Sequence, residues 1–187
     1  MQFKDTPISY GWVSIFIHWA GAIAITMLWL IGNSISSEEI GQPERMNLIH
    51  MHTSVAISVY FLLFFRITYR LFVGFPTLQT NMSKTKQIFT RSVQILLIIS
   101  LTVMLISGPL IVWANGSAIG IFTWGNIPSP FKPSMVLHEF MLDLHRIARW
   151  FLLVSVLTHV FGVFLSGPQT LNRMLITPLS SKQPKAE

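Results

Sequence analysis

The sequence predicts an all-α fold, an integral membrane four-helix bundle. Three observations predict it. Hydrophobic residues make up 51% of the 187 residues and charged residues only 11%, where soluble domains carry about 25% charged residues. The apolar residues gather in four blocks, each long enough to cross a hydrocarbon layer of about 30 Å. Four histidines fall inside those blocks at two depths. Imidazoles in lipid are unfavourable, so ionisable groups there are functional candidates.

The whole chain, 1–187, reads as one transmembrane unit. The first span is expected over residues 12–32. It is longer than a signal peptide's apolar region of about 7–15 residues, and no A-x-A site follows, so it reads as a retained span. A polar loop, NSISSEEIGQPERMN, leads to the second span over 48–73, which Gly74 and Pro76 end. A basic loop precedes the third span, 88–113. The next connection, ANGSAIGIFTWGNIPSPFKPS, is rich in Gly and Pro and is expected to be irregular. The fourth helix runs over 134–166, with Gly167-Pro168 as its stop and a tail over 167–187.

Direction follows from the cations. With both termini on one side, that side holds Lys4, Arg66, Arg70, Lys84, Lys86, Arg91, Arg173, Lys182 and Lys185. The other side holds Arg45, Lys132, Arg146 and Arg149. The positive-inside rule then puts both termini in the cytoplasm. Trp12, Trp113 and Trp150 suit interfacial belts or plain apolar packing alike.

Depth pairs the histidines. His145 and His159 lie fourteen residues apart in HRIARWFLLVSVLTH. On one helix that is a rise of about 21 Å, with the side chains within about 40° of each other. The first span runs outward, so His18 is at the inner level. The second runs inward, so His52 is at the outer level. The fourth also runs inward, so His145 is outer and His159 inner. The same-depth pairs are His18 with His159 and His52 with His145. Two imidazoles saturate a haem iron, which suits electron transfer better than oxygen binding. For any one histidine, the plainer alternative is a hydrogen bond between helices. His50 points to another face than His52, and His138 stands above His145; both read as interfacial or as lying near an outer donor site.

Arg66 is fourteen residues after His52 and Arg70 one turn further. They would pair the propionates of the inner haem or snorkel at the boundary. Arg146 and Arg149 beside His145 carry the same two readings at the outer level. Gly21, Ala22, Ala56 and Gly162 lie near the histidines and suit close porphyrin approach or helix packing. Ser107-Gly108-Pro109 is expected to kink the third span.

Cysteine is absent. That excludes disulfides, cysteine-held clusters and covalent haem attachment. The net charge of +6 does not indicate nucleic acid, because the cations cluster at the ends of apolar blocks and form no stripe.

With these residues in order, the chain resembles the bacterial cytochrome b561 family across nearly its whole length. The carriers are Ile17-His18-Trp19, His52-Thr53-Ser54-Val55-Ala56, Arg66 to Arg70, Ser107-Gly108, and His145 to His159. The family usually has His-x-x-x-Gly in the second span; Ala56 replaces that glycine here. The resemblance implies two haem b groups, ubiquinone as redox partner, and electron movement between the outer face of the inner membrane and the quinone pool. One branch of the family oxidises superoxide at the periplasmic face. A cationic outer patch of Lys132, His138, Arg146 and Arg149 would steer an anionic donor.

Two other functions compete. A haem-bearing anchor of a soluble dehydrogenase or hydrogenase would share the haems but need a partner subunit, and such subunits are often longer. A histidine-based ion transporter would need carboxylates in the hydrocarbon core, and no Asp or Glu lies inside any expected core, Glu139 and Asp143 being expected above the membrane in the first turns of the fourth helix.

Overall fold

The computed structural model describes residue 5 and residues 10–75 and 82–175, with the side chains of 168, 169 and 173 excepted. Of the cations counted above, Lys4, Lys182 and Lys185 lie outside the described residues, as does the tail beyond Leu175. Four long helices dominate: α1 Trp12–Ser37, α2 Pro43–Val73, α3 Lys84–Ala114 and α4 Met135–Leu165. Each is long and apolar enough to cross a membrane. A small hairpin, β1 Ile119–Ile121 and β2 Gly125–Ile127, separates α3 from α4, and a short α5, Pro168–Leu175, follows.

The helix ends have local causes. Arg45 reaches back from α2 to the carbonyls of Ile35 and Glu38 at 2.7 and 2.9 Å. A cation there satisfies the open C-terminal carbonyls of α1. This carries α1 past the expected residue 32, and only residues 38–42 separate it from α2. Pro43 opens α2 at a position where its missing N–H is harmless. Gly74, at φ +75°, closes it with a bond to the Arg70 carbonyl. Ser83 caps α3 and Ser134 caps α4 through their hydroxyls. Pro109 lies inside α3 without ending it.

Two connections differ from expectation. The stretch after α3 is ordered as a two-stranded antiparallel hairpin, with Gly120 opposite Asn126. The cause is non-local, because Ser54 of α2 binds two backbone groups of the β1 side. After Gly167-Pro168 the chain turns and resumes as α5, and Trp19 Nε1 donates to the Met174 carbonyl at 2.8 Å.

Packing is that of a protein in lipid. The largest helix contacts are α3 on α4 and α1 on α2. The buried apolar cluster is small, built on Leu63, Ile67 and Leu101. Phe16, Ile23, Phe61, Phe161 and many other large apolar side chains point outward. Exposed apolar surface on this scale needs a non-aqueous partner, and lipid supplies it. Five serines, at 14, 54, 100, 107 and 155, are buried in the interior, where small residues let helices approach.

The hairpin end of the bundle carries the α1–α2 and α3–α4 connections, and the terminal end carries the start of α1 and the ends of α2 and α4.

Candidate functional site

α4 is uninterrupted from Met135 to Leu165, so His145 and His159 share one helix. Its buried residues Ala148, Leu152 and Ser155 fall on the same stripe as both histidines at 100° per residue. Both imidazoles therefore face the bundle interior, one toward each end.

At the terminal end, the rings of His159 and His18 lie with centroids 6.2 Å apart and planes at 57°. Metal–imidazole bonds are about 2 Å long, so a metal ion held between these two rings would need their centroids about 6 Å apart. The pair has the spacing such a centre requires. Arg66 of α2 donates through Nη1 to the His18 carbonyl at 2.8 Å. Its Nη2 lies 3.3 Å from His18 Nδ1. Gly21 makes this possible: a Cβ there would stand 2.7 Å from Arg66 Nη1. Arg70 is held differently, by Asp5 at 3.1 Å, Ser14 at 3.0 Å and the Gly74 carbonyl at 2.8 Å. Most of its donors are thus committed to the protein. A cavity of ≈ 110 Å³ opens here, with Ser14, His18, Arg66, Arg70, Gln94 and His159 among its walls.

At the hairpin end, His145 Nδ1 lies 2.8 Å from Ser107 Oγ. The Ser107 hydroxyl itself donates to the Val103 carbonyl at 2.7 Å. With its proton so used, Ser107 accepts from Nδ1–H and leaves a lone pair on His145 Nε2. His52 stands within electrostatic reach of His145, and its Nδ1 is buried with no hydrogen-bond partner. A Cβ at Gly32 would press on His52 Cε1 at 3.4 Å.

The outer-level cations separate. Arg149 donates to Ser36 Oγ at 2.8 Å, stacks over Trp150, and keeps a buried Nε without a partner. Arg146 turns to Asp143 at 3.3 Å on the exposed surface and is not brought to the histidine pair. His50 and His138 have partners of their own, away from the neighbouring histidines. The His50 ring packs on Gly120, and His138 Nδ1 lies 2.9 Å from the Ile111 carbonyl. A Cβ on Gly162 would meet open space.

Among the described residues, no group of three or more His, Cys, Asp or Glu could hold a metal ion. The donor chemistry is that of paired imidazoles in apolar surroundings. A buried His52 Nδ1 without a partner, a His145 ring whose Nδ1 is engaged by Ser107 and two imidazoles with centroids 6.2 Å apart all fit haem. No local sequence signal marks Ser107, Asp5 or Ser54 for these contacts. Their partners lie 38, 65 and 66 residues away, beyond any local pattern.

The class is therefore a four-helix membrane protein whose interior carries buried histidines toward both ends of the bundle. The family model described as prokaryotic cytochrome b561 matches residues 9–176. The chain is also 26% identical over 179 residues to cytochrome b561 homolog 2 of Escherichia coli (strain K12), covering 94% of this chain and 95% of that protein. The chain belongs to the prokaryotic cytochrome b561 family. It is a bacterial multi-pass membrane protein that binds b-type haem and transfers electrons.

Proposed function

We propose that the protein holds two haem b groups, one between His18 and His159 and one between His52 and His145. It would pass electrons from a small periplasmic donor, superoxide being the candidate, to ubiquinone. The carrying observation is α4: one helix presents two inward imidazoles about 21 Å apart along its axis, with His18 seated against His159 and His52 on the side of His145. The excess of Lys and Arg on the terminal side supports placing both termini in the cytoplasm of an inner-membrane protein.

A bound haem would supply a one-electron couple at each level, held by His18 and His159 at one and by His52 and His145 at the other. The protein's residues do the rest. Ser107 fixes the His145 tautomer and raises its basicity as a ligand. Arg66 brings a positive charge to His18, where it would favour a haem propionate. Arg149 keeps a cation beside His145, where it would attract an anionic donor. Lys132 and His138 lie on the same side of the membrane, while Arg146 is partly offset by Asp143.

The test is a reduced-minus-oxidised visible spectrum with haem quantitation on wild type and on the four single His→Ala variants. Two haems per chain are expected in the wild type, and each variant should lose the haem of its own pair. Full retention in both His145→Ala and His159→Ala would falsify the ligand assignment. Stopped-flow mixing with superoxide, with and without ubiquinone, tests the donor. Haems that stay oxidised after mixing remove superoxide from the scheme.

A further inference from the structure

The hairpin sits on an unexpected face of α2. His50 and Ser54 lie two residues to either side of His52, a rotation of about 160° each way. Both therefore point away from the direction His52 takes. Leu63 and Ile67, the α2 members of the buried core, are eleven and fifteen residues from His52 and return to its side of the helix. Yet Ser54 is only 1% exposed. The hairpin covers it: Ser54 Oγ donates to the Gly120 carbonyl at 3.1 Å and accepts from Phe122 N–H at 2.9 Å. The His50 ring packs on Gly120, where a Cβ would stand 3.0 Å from Cε1. The latch thus lies on the outer flank of α2.

The depth of that latch follows from helix length. α2 has 31 residues, about 46 Å at 1.5 Å per residue, against a hydrocarbon thickness of about 30 Å. Ser54 is eleven residues from Pro43, about 16 Å along the axis. If the entire excess length stood out of the membrane at the hairpin end, Ser54 would still be level with the hydrocarbon boundary. Any more even placement puts it deeper.

The hairpin's tip is built for such a place. Phe122 adopts φ +46°, a conformation in which bulky residues are outliers and which turns normally give to glycine. It is 52% exposed and Trp124 is 85% exposed, with their ring centroids 6.3 Å apart. The turn is closed by Trp124 N–H to the Ile121 carbonyl at 2.9 Å. No charged residue occurs between Ala114 and Phe131. A surface for a soluble redox partner would carry charge for steering; an uncharged pair of aromatics suits the acyl–headgroup boundary.

We propose that the β1–β2 hairpin is a lipid-interface anchor, with Phe122 and Trp124 seated in the outer boundary of the bilayer and Ser54 as the latch that holds the hairpin against α2. The backbone polar groups that face α2 are satisfied by Ser54, which is the condition for non-helical chain at that depth.

The chain has no cysteine, so a single introduced thiol reports one position. Thr123→Cys and, as a reference in the α1–α2 connection, Glu39→Cys are spin-labelled in the full haem-loaded protein. The protein is reconstituted in phosphatidylethanolamine–phosphatidylglycerol vesicles. Collisions with oxygen, which concentrates in lipid, are compared with collisions with a water-soluble nickel chelate. The expected oxygen-to-nickel ratio is above unity at position 123 and below unity at position 39. Adding Ser54→Ala to the Thr123→Cys protein should raise label mobility and lower its ratio. A ratio at position 123 no higher than at position 39 overturns the proposal and leaves the tip facing water, as a partner's surface would. In unlabelled protein, Trp124→Phe should remove part of the tryptophan emission that brominated lipids quench. Unchanged quenchable emission is a second overturning result. Neither readout depends on which histidines hold haem.

Discussion

Ser107 and His145 form a two-step relay across the α3–α4 interface: His145 Nδ1–H to Ser107 Oγ at 2.8 Å, then the Ser107 hydroxyl to the Val103 carbonyl at 2.7 Å. Ser107 is fully buried, so water cannot replace it. Second-shell partners of this kind typically change metal affinity by about 10–100-fold when removed. Ser107→Ala should therefore weaken haem retention at the His52–His145 level within that range and leave the other level intact. The less basic imidazole should also move one of the two reduction potentials upward. Haem transfer to an excess of a haem-scavenging protein, followed by optical redox titration, reads both effects. Equal loss from both levels would mean that Ser107 acts on the bundle as a whole.

Two glycines near histidines should behave oppositely. A Cβ on Gly21 would stand 2.7 Å from Arg66 Nη1, while one on Gly108 would stand 3.8 Å from His145 Cε1. The first distance forces a shift and the second is ordinary contact. Overpacking of this kind typically destabilises by about 1–3 kcal/mol. Gly21→Ala should thus displace the guanidinium from the His18 carbonyl, lower thermal stability in detergent, and weaken haem binding at the His18–His159 level. Gly108→Ala should match the wild type within about 0.5 kcal/mol, since alanine is the better helix former. Comparable losses in both variants would show that Arg66 has free room to move.

What the sequence made legible was periodic or one-dimensional. The four apolar blocks, and the fourteen-residue step from His145 to His159 on one helix face, depend only on helix geometry. The levels of His18 and His52 follow from the direction of their spans. The contacts that orient these rings run across helices, and no periodicity encodes them. Gly21 reads first as plain helix packing and only second as porphyrin clearance, and the structure uses it to admit a guanidinium. The connection after α3 looked irregular because its ordering partner, Ser54, belongs to α2. Arg70 had the spacing of a propionate partner, but Asp5, outside every apolar block, takes hold of it.

The Asp5–Arg70 pair makes the last prediction. The ion pair spans 3.1 Å with side-chain exposures of 3% and 14%. Asp5 also accepts from Gly11 N–H and from Ser14 Oγ, each at 2.8 Å, so one carboxylate ties the entry of α1 to the end of α2. Removing one partner of a buried pair leaves the other charge uncompensated and typically destabilises by about 3–5 kcal/mol. Asp5→Ala should approach that range in a detergent unfolding assay. Asp5→Asn keeps an acceptor for Gly11 or Ser14 and loses only the charge, so it should fall between Asp5→Ala and the wild type. Arg70→Met in the Asp5→Ala background should recover part of the loss, because the stranded cation is gone. If the double variant is no more stable than Asp5→Ala, the carboxylate acts mainly through Gly11 and Ser14, and the ion pair contributes little to the joint between α1 and α2.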